Sequence, residues 1–424
     1  MKKLLFIGAG FSYDLGMPLA HNLTRDFFSF LTPEKTKNFI EMWKSHDPYG
    51  EGRPLDKEIF DEVYDIYIKF YQDDNCNYEE FLKEIQNLGK MVVDQPKRDS
   101  LHYAFSKFYD IITYMLWIYQ KFNFSIFDSN MNYYKKFSEY VPDNEELWVV
   151  SLNHDLYIEM LCLEMGIPIS FGSDNKLNIP IDNYNLNNTL SFELIKREDL
   201  NLNKMNFIQN SRGINLLKLH GALNEFTYND DKNLLHVSLE DCSTAKEYLN
   251  KNYKVHHDLK YYINGTLANM SNEIIVSDEN GIMQFLRSSI KMGGDKYSIK
   301  FDLKPGEEKL YLFEEILKQV EEITIIGYSF SDKHVNLRLY NAMLLNPHLK
   351  IHIIDPFNTK TPAILEPFDY KLRIRKGTCG TPEWFSFLAN GKWDNDLSKN
   401  IKEFRNIRPK YDLLFQKQYF KTRN

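Results

Sequence analysis

Two short polar motifs contain the residue types that acid–base and sugar chemistry need. Asn153 and Asp155 follow one apolar run, and His220 follows a second apolar run at residues 214–219. A histidine can act as a general base near neutral pH. An asparagine transfers no proton in that range, but its amide can orient a water molecule or a sugar hydroxyl. Asn153, His220 and Asp155 are therefore the candidates for the chemistry. For Asp155, a cap of the next helix or a contact with a ribose hydroxyl is the alternative that we favour.

A glycine-containing loop near the start of the chain is a candidate phosphate site. An apolar run at residues 4–7 enters this loop, which consists of Gly8, Ala9, Gly10, Phe11 and Ser12. Glycines remove Cβ atoms where the backbone turns sharply or approaches a ligand. If a helix follows, its N–H groups favour a phosphate. The spacing is not the dinucleotide fingerprint, because Tyr13 stands where the third glycine should be. We predict that these five residues hold the pyrophosphate region of a nucleotide.

Five predicted strands end in polar or glycine-rich loops. The loops are at residues 8–10, 153–155, 220–221 and 327–329 and at Asp355. In an open parallel sheet, ligands bind outside the carboxyl ends of the strands. If the five strands lie in one sheet, the loops face one crevice, and a dinucleotide fits their residue types. We expect Ser12, Ser329 and Asp355 to contact ribose hydroxyls, with Gly327 and Tyr328 in the same binding loop. Cleavage of a nicotinamide–ribose bond would then pass through an oxocarbenium-like state.

The surrounding pattern predicts the elements that position these loops. Residues 310–354 alternate helix, strand, helix and strand, which indicates an α/β protein with a parallel sheet. We expect a Rossmann-like domain over residues 1–395 that contains a large helical insertion at 21–142. Residues 172–210 are rich in Asn and Asp and are predicted as loop with short strands. Residues 222–308 are a mixed segment, and 396–424 form a helix or an interaction tail.

Composition excludes several classes of function. The chain of 424 residues has a net charge of −7, so it lacks the basic footprint of a nucleic-acid binder. Its four cysteines form no CxxC pair, which argues against a zinc ribbon, and we expect no metal. Because residues 1–7 already form a predicted strand, we expect no signal peptide. The most apolar helical run, 105–119, is too short to span a bilayer. We therefore expect a cytoplasmic protein without membrane contact.

Each feature also has a purely structural alternative. The glycine loop could be a tight strand-to-helix turn that binds nothing. His220 could be a buried histidine with a satisfied hydrogen bond, and Asn153 and Asp155 could form only a turn and a helix cap. The Gly327-Tyr328-Ser329 segment is also typical of a generic strand-to-helix turn. The functional interpretation therefore rests on the five loops together rather than on any one of them.

At these residues the chain resembles the Sir2 (sirtuin) superfamily, in particular its divergent bacterial branch. The motifs that carry the resemblance are Gly8-Ala9-Gly10-Phe11-Ser12 with Gly16-Met17-Pro18, Ser151-Leu152-Asn153-His154-Asp155, Lys218-Leu219-His220-Gly221, Gly327-Tyr328-Ser329 and Asp355. They occur in the family's order over nearly the whole chain. The resemblance implies a Sir2-like fold, NAD as substrate, and Asn153 with His220 as the catalytic pair. It also implies ribose and adenine contacts from Gly327, Tyr328, Ser329 and Asp355.

Two departures from the family pattern argue against protein deacylation. Deacylase sirtuins carry an acid and an arginine after the loop proline, whereas Leu19-Ala20-His21 follows Pro18 here, and their paired-cysteine zinc module is absent. The branch without these features is similar to NAD-depleting effectors of bacterial anti-phage defence. That resemblance implies hydrolysis of NAD to nicotinamide and ADP-ribose during abortive infection. It also implies a homo-oligomer, triggered by a phage-derived activator or working beside a HerA-type ATPase.

Two other classes of function stay open at this point. One is an NAD-dependent deacylase or ADP-ribosyltransferase, which an acyl-peptide or acceptor assay would reveal. The other is a non-enzymatic module that senses NAD or ADP-ribose for a partner. That module would bind the nucleotide without releasing nicotinamide.

Overall fold

The chain forms two compact units. The computed structural model describes residues 2–45, 55–173, 175–268, 273–293, 307–357, 360–370 and 372–420. The first unit is built from residues 1–17, 120–290 and 297–404, and the second from 18–119, 291–296 and 405–424. Parts of the predicted segments 21–142, 222–308 and 396–424 lie outside the described residues.

Within the described ranges, the strands form a long parallel sheet, a long antiparallel sheet and one short hairpin. In chain order they are β1 Lys3–Ile7, β2 Glu146–Ser151, β3 Ile169–Ser170, β4 Asn175–Asp182, β5 Asn185–Lys196, β6 Gly213–Lys218, β7 Glu225–Tyr228, β8 Asn233–Val237, β9 Tyr262–Ile263, β10 Thr266–Leu267, β11 Glu273–Ser277, β12 Met283–Ser288, β13 Glu322–Ile326, β14 Lys350–Ile354 and β15 Ile374–Gly377.

The helices cover most of the chain before β2 and alternate with strands after residue 306. They are α1 Ala9–Tyr13, α2 Ala20–Phe30, α3 Pro33–Lys44, α4 Lys57–Tyr71, α5 Tyr78–Met91, α6 Gln95–Phe122, α7 Phe124–Asn130, α8 Phe137–Tyr140, α9 Tyr157–Met165, α10 Ala245–His257, α11 Glu307–Gln319, α12 Lys333–Leu345, α13 Thr381–Asn390 and α14 Asn395–Tyr419. In the part of the chain that the structure describes, no helix combines the length and apolar character needed to cross a bilayer.

A parallel sheet of seven strands forms the centre of the first unit. Its order is β15-β14-β13-β1-β2-β6-β3, and every neighbouring pair is parallel. The inner strands are buried on both faces, as all six residues of β2 and of β6 show. Such strands read as continuous apolar runs, which is why the sequence predicts them. The predicted α/β class with a Rossmann-like parallel sheet is confirmed, and the five predicted strands are neighbours in it.

A second sheet in the same unit is antiparallel, in the order β11-β12-β7-β8-β5-β4. The prediction of loop with short strands at 172–210 is wrong, because β5 alone has 12 residues. Asp182 closes the β4–β5 hairpin by accepting the backbone N–H groups of Tyr184 and Asn185, both at 2.9 Å. The first five residues of β5 are exposed, so their polar side chains conceal the strand in the sequence. The mixed segment supplies β7–β12 and α10.

The second unit contains helices packed through aromatic side chains. Phe81 lies 6.0 Å from Phe27 and 4.9 Å from Phe108 between ring centroids. The part of α14 that belongs to this unit packs through Phe415, whose ring stacks at 4.6 Å on that of Tyr119. Tyr119 also donates its hydroxyl hydrogen to the buried carboxylate of Asp26. These contacts explain the high aromatic content of the helical segment as core packing.

Candidate functional site

The glycine loop after β1 packs directly against the loop after β13. The N–H of Gly8 donates to the carbonyl of Ile326, and that of Gly10 to the carbonyl of Gly327, both at 3.0 Å. A Cβ added to Gly8 would lie 2.6 Å from the Gly327 oxygen, and one added to Gly10 would lie 2.7 Å from the Gly327 Cα. Backbone packing therefore requires these glycines. Gly8 precedes the first turn of α1, and Ala9 and Gly10 keep partial exposure.

Asn153 joins the loop after β2 to the glycine loop. Its Nδ2 donates to the carbonyl of Gly8 at 2.9 Å and to the Oγ of Ser12 at 3.0 Å. Its backbone N–H donates to the Oγ of Ser151 at 3.0 Å, and only 8% of the residue is exposed. Both hydrogens of the amide are thus engaged, and the side chain has one orientation beside the glycine loop. A group that orients a ligand needs such support.

Asp155 continues this hydrogen-bonded series. The hydroxyl of Ser12 bonds to its carboxylate, and its Oδ1 accepts the N–H of Tyr157 at 3.0 Å, in the first turn of α9. This bond supports the start of α9, although the N-cap position of that helix is Leu156 rather than Asp155. Burial raises the pKa of Asp155 above its usual value, although Lys218 and Ser12 favour the ionised form. Asn153, Ser12 and Asp155 therefore connect the loops of β1 and β2 at one edge of the sheet.

His220 lies in the loop after β6 beside a carboxylate. Its Nε2 is 2.9 Å from Oδ2 of Asp332, and the two side chains are 5% and 11% exposed. Because β1 and β2 lie between β6 and β13, this contact joins loops of strands that are not neighbours. The ring centroid of His154 lies 6.5 Å from that of His220, and Nδ1 of His154 is 3.2 Å from the carbonyl oxygen of Gly221. The loops of β2, β6 and β13 therefore converge at the carboxyl edge of the sheet.

Asp332 is the site residue that sequence reasoning missed. Its Oδ1 accepts the N–H groups of His334 at 2.9 Å and Val335 at 3.1 Å, so it is the N-cap of α12. The sequence signal was an acidic residue directly before a predicted helix, which indicates a cap. A cap explains the hydrogen bonds of Oδ1. The contact between Oδ2 and His220 depends on the order of the strands in the sheet, which the sequence does not reveal.

Two buried lysines hold the loops after β2 and β6. The ammonium of Lys218 donates to the carbonyl of Asp155 at 2.5 Å and lies 2.6 Å from the carboxylate of Glu159. The ammonium of Lys309 donates to the carbonyl of Lys218 at 2.9 Å and to both carboxylate oxygens of Glu225 at 2.6 Å. Each lysine is 4% exposed. Each therefore ties a backbone carbonyl next to the site to a buried carboxylate.

Other predicted ligand contacts have structural roles as well. The ring of Phe11 is fully buried, with its centroid 5.7 Å from that of Tyr134. Tyr328 is also buried, and its hydroxyl bonds to Asn336 at 2.9 Å. The side chains of Phe11 and Tyr328 therefore contribute to the core. Ser329 is exposed in the loop after β13. Asp355 follows β14, two strands from β1, where its Oδ1 accepts the N–H of residue 357 at 2.8 Å.

The arrangement supplies an oriented amide, a buried imidazole beside a carboxylate, and a glycine loop at one edge. These groups can position a nucleotide and move one proton. Within the described ranges, no group of three or more His, Cys, Asp and Glu side chains is placed to hold a metal ion.

Comparison with known proteins gives structural likenesses only. No family model matches the chain, and no curated protein matches it. Several solved structures of Sir2 proteins are similar to this chain. One, described as the structural basis for the mechanism and regulation of Sir2 enzymes, is 10% identical, with 96% of this chain and 93% of that chain covered and a TM-score of 0.29. A mutant Sir2 homologue in complex with ADP-ribose is 12% identical, with 96% and 94% covered and a TM-score of 0.35. Similarity at this level transfers no activity.

Proposed function

We propose that this protein hydrolyses NAD to nicotinamide and ADP-ribose at the carboxyl edge of its parallel sheet. The observation that supports the proposal is the convergence of Asn153, His220 and the glycine loop of residues 8–12 on that edge. A parallel sheet binds its ligands there. The motif resemblance to the Sir2 superfamily supports NAD as the nucleotide.

The proposed reaction needs one base and no acid. The bond between C1′ of the ribose and the pyridinium nitrogen breaks, and its electron pair goes to the nitrogen. Nicotinamide leaves as a neutral molecule, so no proton has to be supplied to it. A water molecule adds to the oxocarbenium-like C1′ while His220 accepts one of its protons. The products are nicotinamide, ADP-ribose and one proton, which His220 returns to solvent.

Other residues have supporting roles in this proposal. Asn153 orients the nicotinamide ribose or the attacking water through its fixed amide. The glycine loop lies against the pyrophosphate through its partly exposed residues Ala9 and Gly10, whereas the N–H groups of Gly8 and Gly10 donate to carbonyls of the neighbouring loop. Asp155 fixes its loop and contacts a ribose hydroxyl. Residues 327–329 and Asp355 contribute the remaining ribose and adenine contacts.

The motif resemblance further supports a role as an NAD-depleting effector. We propose that the protein acts in bacterial anti-phage defence, where NAD loss aborts infection. We also propose a homo-oligomer that responds to a phage-derived activator or works with a HerA-type ATPase. Mass photometry of the full chain tests the oligomer, since a monomer has a mass of 50.4 kDa.

A product assay tests the reaction itself. The full chain is incubated with NAD alone, with NAD plus an acyl-lysine peptide, and with NAD plus an acceptor protein. Hydrolysis predicts equal molar release of nicotinamide and ADP-ribose from NAD alone. Release that depends on the peptide or the acceptor would instead identify a deacylase or an ADP-ribosyltransferase. NAD binding measured by calorimetry without any release would favour the sensing module.

A further inference from the structure

The contact between His220 and Asp332 has a consequence for which ring nitrogen does the chemistry. In neutral imidazole one nitrogen carries hydrogen and the other accepts it. Nε2 of His220 lies 2.9 Å from Oδ2 of Asp332. An ionised carboxylate has only acceptor oxygens, so it favours the ring form that carries hydrogen on the facing nitrogen.

We propose that Asp332 is a positioning residue that keeps the hydrogen of neutral His220 on Nε2 and makes Nδ1 the proton acceptor. This inference rests on the proposed function for its catalytic meaning, whereas the choice of ring form rests on the 2.9 Å approach of the two atoms, which is an ion-pair contact and not an aligned hydrogen bond. In the hydrolysis described above, the proton of the attacking water would pass to Nδ1. Asp332 would remain ionised and would stabilise the imidazolium that forms.

The loop that carries Asp332 is built to hold the carboxylate in place. Its other oxygen, Oδ1, caps α12 through two hydrogen bonds, so each carboxylate oxygen has its own contact. Asn336 in α12 donates to the carbonyl of Phe330 at 2.7 Å and receives the hydroxyl of Tyr328 at 2.9 Å. Phe330 has a φ of 59°, a left-handed conformation that is uncommon for a bulky residue. These bonds hold the backbone of the loop that carries Asp332.

Substitutions at Asp332 can separate the cap from the contact with His220. Asparagine and serine are as good as aspartate at an N-cap. D332N keeps the size of the side chain, but its amide nitrogen can donate to Nε2 and reverse the ring form. D332S keeps a capping hydroxyl and is too short to reach the ring. Asp56 provides the matched control, because its Oδ1 caps α4 at 2.9 Å through the N–H of Ile59.

The first arm of the test is nitrogen NMR of the histidine rings in the full chain, with H220Q to assign the signals. In neutral wild-type protein we expect a protonated Nε2 and an acceptor-type Nδ1 for His220. D332N and D332S should change this pattern, and D56N should not. A neutral His220 with hydrogen on Nδ1, or a pattern unchanged in both Asp332 variants, would overturn the proposal. This arm needs no turnover, so it stands apart from any failure of NAD hydrolysis.

The second arm measures NAD hydrolysis by the same proteins. We expect D332N and D332S to lower kcat by about 10²-fold or more with little change in KM, because a misdirected base loses its contribution to catalysis. D56N should retain wild-type kcat. Full activity in D332S together with the expected NMR change would show that the ring form is irrelevant to turnover, and would overturn the positioning role.

Discussion

Close backbone packing, at the scale of single residues, explains the glycines that first suggest a phosphate loop. Gly8 and Gly10 lie against Gly327, and each would place a Cβ within 3 Å of its backbone. Backbone atoms cannot rotate away as the end of a flexible side chain can. The same glycines thus shape the loop that is proposed to hold pyrophosphate, and the structural and functional interpretations do not compete.

Gly8→Ala should therefore lower the free energy of unfolding by about 1–3 kcal/mol, since the added methyl group meets the oxygen of Gly327. Urea unfolding measures the change. Gly89→Ala is the control, because the nearest atom to its added Cβ is 4.0 Å away on a helix, where alanine is favoured. Equal stability of the Gly8→Ala protein and the wild type would contradict this account of the loop.

Residue types alone were enough to identify Asn153, Asp155 and His220 as candidates. They were not enough to find Asp332, because its contact with His220 depends on which strand ends meet above the sheet. An aspartate before a helix is fully explained as a cap. The sequence therefore gives no reason to expect that Asp332 also contacts a histidine. Phe11 and Tyr328 were predicted as ligand contacts because they lie in candidate binding loops. Their rings are buried in the core instead, which the loop positions did not indicate.

Buried ion pairs hold the site at the scale of elements. Lys309 on α11 connects Glu225 at the start of β7 to the last carbonyl of β6, and His236 on β8 lies 2.7 Å from the same carboxylate. Burial opposes ionisation of Glu225, but Lys309 and His236 outweigh it and hold the pKa of this carboxyl well below its usual value. The antiparallel sheet is thereby joined to β6, the strand that precedes His220.

Lys309→Met should destabilise the protein by about 3–5 kcal/mol at pH 7, because Glu225 loses a partner while it stays buried. Urea unfolding at pH 7 and pH 4 measures the effect. The folded-state pKa of Glu225 is depressed, so its contribution is present above the unfolded value of about 4.3 and is lost as pH falls further. The difference between variant and wild type should accordingly shrink towards acid pH.

Lys204→Met is the control for this substitution. Lys204 also pairs with a carboxylate, that of Asp199 at 2.9 Å, but the pair is exposed to solvent. We expect no measurable change in stability from it. A Lys309→Met protein as stable as this control at pH 7 would contradict the role assigned to the buried pair.

Strands differ in how far their sequences reveal them. Those of the parallel sheet are buried on both faces and contain continuous apolar runs, so they could be predicted. In β5 the buried side chains are confined to Leu190, Phe192 and Ile195, after five exposed residues. A half-exposed antiparallel strand of this kind resembles a polar loop. The second sheet therefore escaped prediction, although it supports the site through Glu225.

The candidate site, at the scale of the whole molecule, belongs to the first compact unit alone. The glycine loop, Asn153, His220 and Asp332 all lie in that unit, in segments far apart along the chain. Helices of the second unit have their own aromatic core. The domain boundaries, the oligomer and the partner proteins stay predictions. A surface that meets another chain leaves no regular spacing in the sequence, so the residues of such a surface could not be predicted.

The most direct test of the central claim is nicotinamide release from NAD by the wild-type chain, His220→Ala and Asn153→Ala, with NAD binding measured in parallel. His348→Ala is the control, since this histidine is exposed in the turn between α12 and β14. We predict release by the wild type and the control, and a loss of at least about 10²-fold in the two site variants. Near-normal release by both site variants would contradict the assignment of Asn153 and His220.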